Sequence, residues 1–266
     1  MIVVSQSGET ADTLAALRLA KEKGARTLAV CNAVGSSISR EADDIFYTWA
    51  GPEIAVASTK AYTTQIVSLA LIALYMADKK GTIAKEEYEN VLEELKLLPE
   101  KAEKVLLSKS NIMKMAQAIS KKDDVFYIGR GIDYYVSMEG SLKLKEVSYI
   151  HSEAMAAGEL KHGTLALIED GMPVIALATQ DRLFDKMLSN IKEVKARGGY
   201  VIAIAREGNK EVEKVSDLTI YIPDAIDEVV GAISAIPLQL LAYFAAKERN
   251  CDIDKPKNLA KSVTVE

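Results

Sequence analysis

The 266-residue sequence holds only two cysteines, Cys31 and Cys251, and no CxxC pair. That scarcity excludes a disulfide scaffold and a thiolate zinc site, and it fits a reducing compartment. Histidine is equally scarce: His151 and His162 stand eleven residues apart, which is not a metal-ligand spacing. Basic charge is not in excess either, since 33 Lys and Arg face 38 Asp and Glu for a net charge of −5. A binder whose affinity rests on Lys and Arg along a phosphate backbone is thereby excluded, although a single anion needs only a few donors. The amino terminus, Met1-Ile2-Val3-Val4-Ser5, lacks the basic and apolar regions of a signal peptide. The longest apolar stretch, Val229 to Ala246, contains Gly231, Ser234, Pro237 and Gln239 and reads as a buried helix kinked near its start. A soluble cytoplasmic protein is expected, with neither nucleic acid nor membrane among its partners.

What is present is a core-forming composition, 49% apolar and 27% charged, at a length suited to two α/β units. Sliding the chain on itself by one fixed offset aligns Gly24 with Gly198, Ala29 with Ala203, Asp43 with Asp217, Tyr47 with Tyr221 and Gln65 with Gln239. Each copy reads as an apolar strand, a polar loop, an amphipathic helix, two more short strands and a long apolar helix. Strands alternating with helices indicate a parallel sheet covered on both faces, an α/β/α sandwich. The second copy has an additional strand, Asp124 to Ile128, a Gly129-Arg130-Gly131 turn and a helix from Tyr134 to Ile150 in front of it. The first copy lacks these, so the chain is expected to begin inside a domain, as a fragment or a late start. The expected divisions are 1–82, a partial first domain; 83–122, a helical connector broken into two helices at Pro99; 123–250, the second domain; and 251–266, a tail.

Ligands of open parallel sheets bind beyond the carboxyl ends of strands. The first such loop reads Ser5-Gln6-Ser7-Gly8-Glu9-Thr10, three hydroxyls and an amide around one glycine at a helix start. Free backbone N–H groups and the positive end of the helix dipole favour an anion there. The absence of a lysine argues against a nucleoside triphosphate loop and suits a phosphomonoester. The plainer alternative is an ordinary helix cap by Ser7 or Thr10. The equivalent loop of the second copy, starting at Thr179-Gln180-Asp181, lacks the hydroxyl cluster. Glu139, Lys143 and Glu146 share one helix face, either as an acid–base group or as a solvated salt bridge. His162, between glycines 158 and 163, is a candidate acid or base, or a surface histidine; His151 reads as structural. The ending Asn258 to Glu266 is a frayed end or a docking tail, and Lys261 within it could serve as a nucleophile once desolvated.

The segments SQSGETADTL, VASTKAYTTQ, GRG, EGSLKLKEVSYIHSEAMAAGELKHG, PLQLLAY and NLAKSVTVE together resemble the isomerase region of the glutamine–fructose-6-phosphate aminotransferase family. The resemblance spans nearly the whole chain and implies two sugar isomerase (SIS) domains of flavodoxin-like type, the first incomplete, with a C-terminal tail. It implies that Ser5, Gln6, Ser7 and Thr10 hold the phosphate of fructose 6-phosphate, and that Val56, Ser58 and Ala260 line the sugar site. By the same resemblance Glu146 shuttles the proton between C1 and C2 beside Lys143, and Lys261 forms an imine with the open-chain ketose. His162 assists ring opening, reaching across from the neighbouring subunit of a homodimer. The implied product is glucosamine 6-phosphate, and neither cofactor nor metal is implied. Two departures are the absent glutaminase domain and the absent front of the first SIS domain, which in the family adds a phosphate-binding serine; Thr164 also replaces a usual proline. A non-catalytic phosphosugar sensor and a deglycase of sugar–amino acid phosphates are the rival readings. A sensor needs neither Glu146 nor Lys261, and the NLAKSVTVE ending is not expected of a deglycase.

Overall fold

The computed structural model describes residues 1–264, so Val265 and Glu266 of the tail nonamer lie outside the described residues. The chain forms two compact units, Met1–Ile83 joined by the segment from Lys257 onward, and Ala84–Pro256.

The first unit contains β1 (Ile2–Ser5), α1 (Ala11–Glu22), β2 (Leu28–Cys31), α2 (Ser37–Glu41), β3 (Asp44–Tyr47) and α3 (Lys60–Lys80). Its three strands are parallel in the order β1-β2-β3. Alternation sends Val3, Ala29 and Cys31 into a core with Leu17 of α1 and Ile38 of α2. The α3 helix ends at Gly81, whose φ of 65° closes the last turn in the left-handed region that glycine occupies without strain.

The second unit runs α4 (Lys85–Leu107), α5 (Lys109–Ile119), β4 (Asp124–Gly129), α6 (Ile132–Ser148), β5 (His151–Ala156), β6 (Pro173–Ala178), α7 (Phe184–Lys195), β7 (Tyr200–Arg206), β8 (Leu218–Ile222) and α8 (Val230–Glu248). The five parallel strands are ordered β5-β4-β6-β7-β8. Counted within the unit this is 2-1-3-4-5, the flavodoxin-like order, and it places the topological switch point between β4 and β6. Strands β6 and β7 are nearly continuous apolar runs because helices cover both of their faces.

The internal repeat survives as strand register. Leu28 pairs with Asp44, and their counterparts in the second copy, Ile202 and Leu218, pair in the same way. At the preceding strand pair the correspondence slips. Ala29 is met by Val3, but its counterpart Ala203 is met by Ala176 and not by Leu177, the counterpart of Val3. The crossover in the second unit is therefore slightly longer.

Three elements differ from expectation. Pro99 lies inside α4, and the helix breaks instead at Ser108. Proline removes one backbone hydrogen bond, but Val91, Leu95, Leu98 and Val105 stay buried on one face of α4 across it, and α4 packs on α8. The α4 and α5 helices, read as a connector, thus pack within the second unit. Strand β5 was not expected, because HSEAMA is a polar edge strand with little apolar patterning. His151 accordingly opens this strand rather than ending a helix, and its Nδ1 lies 2.7 Å from Asp124. Both α3 and α8 are long and apolar enough to cross a membrane by length and composition, and most of α8 is buried inside the second unit.

Candidate functional site

In the first unit, β1 delivers Ser5 to the carboxyl edge of the sheet, and the loop through Thr10 leads into α1. Thr10 is the N-cap residue, yet its side chain makes no cap hydrogen bond. Its hydroxyl lies 3.0 Å from that of Ser5, which accepts the Gly8 N–H at 3.0 Å. Ser7 Oγ accepts the Glu9 N–H at 3.2 Å. None of these hydroxyls therefore serves as the ordinary cap that was the plainer alternative; they line the loop around the α1 amino end. Ser5 is buried, while Gln6, Ser7 and Thr10 are half-buried and open to a ligand.

Gly8 fixes this loop's shape. Its φ is +65°, and a Cβ there would lie 2.0 Å from the Ser36 hydroxyl oxygen. Its carbonyl receives the Ile38 N–H at 3.0 Å, and Glu9 receives the Ser37 N–H at 2.7 Å, so the α2 amino end braces the loop. The neighbouring Cys31 packs in the core with Val3, Leu17 and Ile38, and burial pushes its thiol above its ordinary pKa.

The tail folds onto the same unit. Val263 accepts the Ala11 N–H at 3.2 Å, at the first turn of α1. Lys261 then places its Nζ 2.6 Å from Glu53 Oε2 and 3.4 Å from Ser58 Oγ. The frayed-end alternative does not describe this segment through Thr264. Lys261 and Ser58 are thus brought together, with Val56 half-buried two residues before Ser58 and Ala260 exposed beside Lys261. A cavity of about 450 Å³ next to them is lined by Gln6, Asn32, Trp49 and Glu53, among others.

Glu53 and Asn32 were not singled out from sequence. Glu53 Oε1 accepts the N–H groups of Thr59, at 2.9 Å, and Ala61, at 3.2 Å. Burial pushes its carboxyl up, but the hydrogen bonds from Lys261, Thr59, Ala61 and Ser58 outweigh that and hold it below the ordinary carboxylate value. Asn32, just past β2, accepts the Ala50 N–H at 2.9 Å and donates to the Gly51 carbonyl at 2.8 Å, shaping the Trp49 loop. Its position beyond a strand's carboxyl end is the signal that could have marked it.

In the second unit, the shared face of α6 is nearly dry. Lys143 is 4% exposed, with its Nζ 2.5 Å from Glu146 Oε2 and 3.6 Å from Glu139 Oε1. This excludes the solvated salt bridge. The Lys143 side chain lies between those of Glu139 and Glu146 on this poorly hydrated face, and Glu146 is the one with more access to solvent. His162 ends a 3₁₀ turn with its side chain 75% exposed and Nε2 3.9 Å from Glu159.

The counterpart of the hydroxyl loop is filled from within. Thr179 donates its N–H and hydroxyl to the Asp133 carboxylate, at 2.8 and 2.5 Å. Gln180 donates to the Arg130 carbonyl, and Arg206 is ringed by Asp181, Asp224 and Asp227. Burial pushes the Asp133 carboxyl up despite its bonds to Thr179 and the Arg206 charge. At this loop the Asp133 carboxyl group already takes the Thr179 donors that an incoming anion would need. Among the described residues, no group of three or more His, Cys, Asp or Glu is placed to hold a metal ion.

Residues 1–75 and 118–248 match the SIS domain family. The chain is 64% identical over 265 residues to glutamine–fructose-6-phosphate aminotransferase [isomerizing] of Caldanaerobacter subterraneus subsp. tengcongensis, and 62% identical over 266 residues to that of Clostridium tetani. Each alignment covers 100% of this chain but 44% of the relative, so the chain spans less than half the length of these curated relatives. Among solved structures, the C-terminal domain of glucosamine-fructose-6-phosphate aminotransferase from Francisella tularensis superposes with a TM-score of 0.92 at 41% identity, over 96% of this chain and 73% of that one.

Proposed function

The chain belongs to the SIS domain family, and we propose that it is the sugar-phosphate isomerase part of an amidotransferase that makes glucosamine 6-phosphate from fructose 6-phosphate and ammonia. The observation that carries this reading is the tail, which brings the Lys261 amine and the α1 amino end into one unit through Val263 and Glu53. An anion cup alone would serve a sensor; an amine held in the same unit serves carbonyl chemistry. The relatives' names, glutamine–fructose-6-phosphate aminotransferase [isomerizing], agree with this reading.

In this reading the hydroxyls of Ser5, Ser7 and Thr10, the Gln6 amide and the positive dipole end of α1 hold the phosphate. Val56, Ser58 and Ala260 border the sugar. Lys261 forms an imine at C2, which acidifies the C1 hydrogens, and Glu146 carries the proton between C1 and C2 with Lys143 fixing its charge and direction. His162 assists ring opening from the neighbouring subunit of a cytoplasmic homodimer. Its exposure supports that assignment, since an acid or base acting on a partner's ligand must project from its own subunit. Sedimentation at twice the chain mass is expected, and a lone 28.9 kDa species would remove this role.

Phosphate recognition is tested by titration. Ser7→Ala combined with Thr10→Ala should weaken fructose 6-phosphate binding by about 1–3 kcal/mol, the worth of hydrogen bonds to a charged group. Unphosphorylated fructose should bind both proteins equally poorly. An unaltered fructose 6-phosphate isotherm would take the loop out of the site.

A further inference from the structure

Glu53 is a carboxylate whose two oxygens have different partners. Oε1 is fixed by two backbone N–H groups at the start of α3. Oε2 receives the Lys261 ammonium at 2.6 Å. The side chain is 5% exposed, and its loop is pinned by Lys60, which donates to the Pro52 carbonyl at 2.7 Å. A protonated amine cannot attack a carbonyl, because its lone pair is in an N–H bond. An imine-forming lysine found as an ion pair must therefore pass its proton to something nearby. Water reaches Lys261 only in part, as its side chain is 27% exposed.

We propose that Glu53 is a catalytic residue of imine formation, carrying the Lys261 proton to the oxygen that leaves C2 as water. This rests on the reading that Lys261 forms the imine. A Lys261 N–H bond breaks and its proton passes to Oε2, freeing the amine. The nitrogen lone pair forms the N–C2 bond while the carbonyl π pair moves onto oxygen, which takes a proton from the new ammonium to give a carbinolamine. Glu53 then gives its proton to that hydroxyl. The C2–O bond breaks with its pair, water leaves, and the nitrogen lone pair closes the C=N bond. Ammonium and ketone become protonated imine and water, and Glu53 returns to carboxylate. Because Oε1 is held by N–H groups throughout, the carboxyl keeps its aim whether or not Oε2 carries the proton.

The test is borohydride trapping on the 266-residue chain with fructose 6-phosphate, read by peptide mass at Lys261. The unsubstituted chain should be modified at Lys261, and Glu53→Gln should be trapped roughly 10²–10⁴-fold more slowly, the usual worth of a positioned acid–base group. Its fructose 6-phosphate titration should be unchanged, since the phosphate loop is untouched. Glu53→Asp should fall between the two, and formate should accelerate trapping in Glu53→Ala, a rescue that a purely structural carboxylate would not show. No modification of Lys261 in the unsubstituted chain would overturn the imine reading and this inference with it. Normal trapping in Glu53→Gln would overturn the Glu53 role alone. Slow trapping without formate rescue, or with phosphosugar binding lost in both Glu53→Gln and Glu53→Asp, would make Glu53 a structural tether and also overturn that role.

Discussion

Replacing Glu146 by Gln should slow exchange of the C1 hydrogens of fructose 6-phosphate with D₂O by roughly 10²–10⁴-fold, the contribution of a positioned general base. The amide has the shape of the carboxylate but cannot accept a proton at neutral pH. Fructose 6-phosphate affinity should hold, because the phosphate hydroxyls lie on another element. Lys143 keeps a second carboxylate, Glu139, at 3.6 Å, so the substitution leaves no buried ammonium alone and α6 should stay folded. Proton NMR of the sugar reads exchange directly and needs no ammonia source. Exchange at the unsubstituted rate in Glu146→Gln would remove this residue from the chemistry.

Lys143→Met should destabilise the second unit by about 3 kcal/mol, the low end for removing one partner of a buried ion pair. The lower figure applies because the Glu146 side chain is 22% exposed and water offsets part of the lost charge interaction. Methionine fills the volume of the lysine stem, so the loss is electrostatic rather than a cavity. Glu139 and Glu146 then face each other across a poorly hydrated helix face without the cation between them. Combining Lys143→Met with Glu146→Gln should restore part of the loss at neutral pH. Urea unfolding of the single and double variants measures both effects. A single substitution with no stability cost would mean that the ammonium is solvated in solution.

The periodic elements were legible because burial on two faces leaves apolar runs, and the internal repeat reappears in the pairing of Leu28 with Asp44 and Ile202 with Leu218. The place of the hydroxyl loop was legible for a local reason: a strand end, a glycine and a helix start lie close together in sequence. Strand β5 was not, since HSEAMA pairs through its backbone at a sheet edge and needs little apolar side chain. Pro99 misled because its local cost is outweighed by the face that α4 buries. The spacing of Glu139, Lys143 and Glu146 placed them together, but only packing by other elements decides that Lys143 is dry. Glu53 was invisible for a different reason. Its partner Lys261 lies 208 residues away, and no local pattern records a contact made by the returning tail.

In the proposed function the hydroxyl loop grips a phosphate while the tail lysine meets the carbon chain of the same sugar. A crystal structure of this chain with glucosamine 6-phosphate tests it most directly. Phosphate oxygens are expected within hydrogen-bond distance of the Ser5, Ser7 and Thr10 hydroxyls, with the amino-bearing end of the sugar turned toward Lys261. A phosphate bound elsewhere, or a sugar whose C1 and C2 point away from the Lys261 amine, would contradict it.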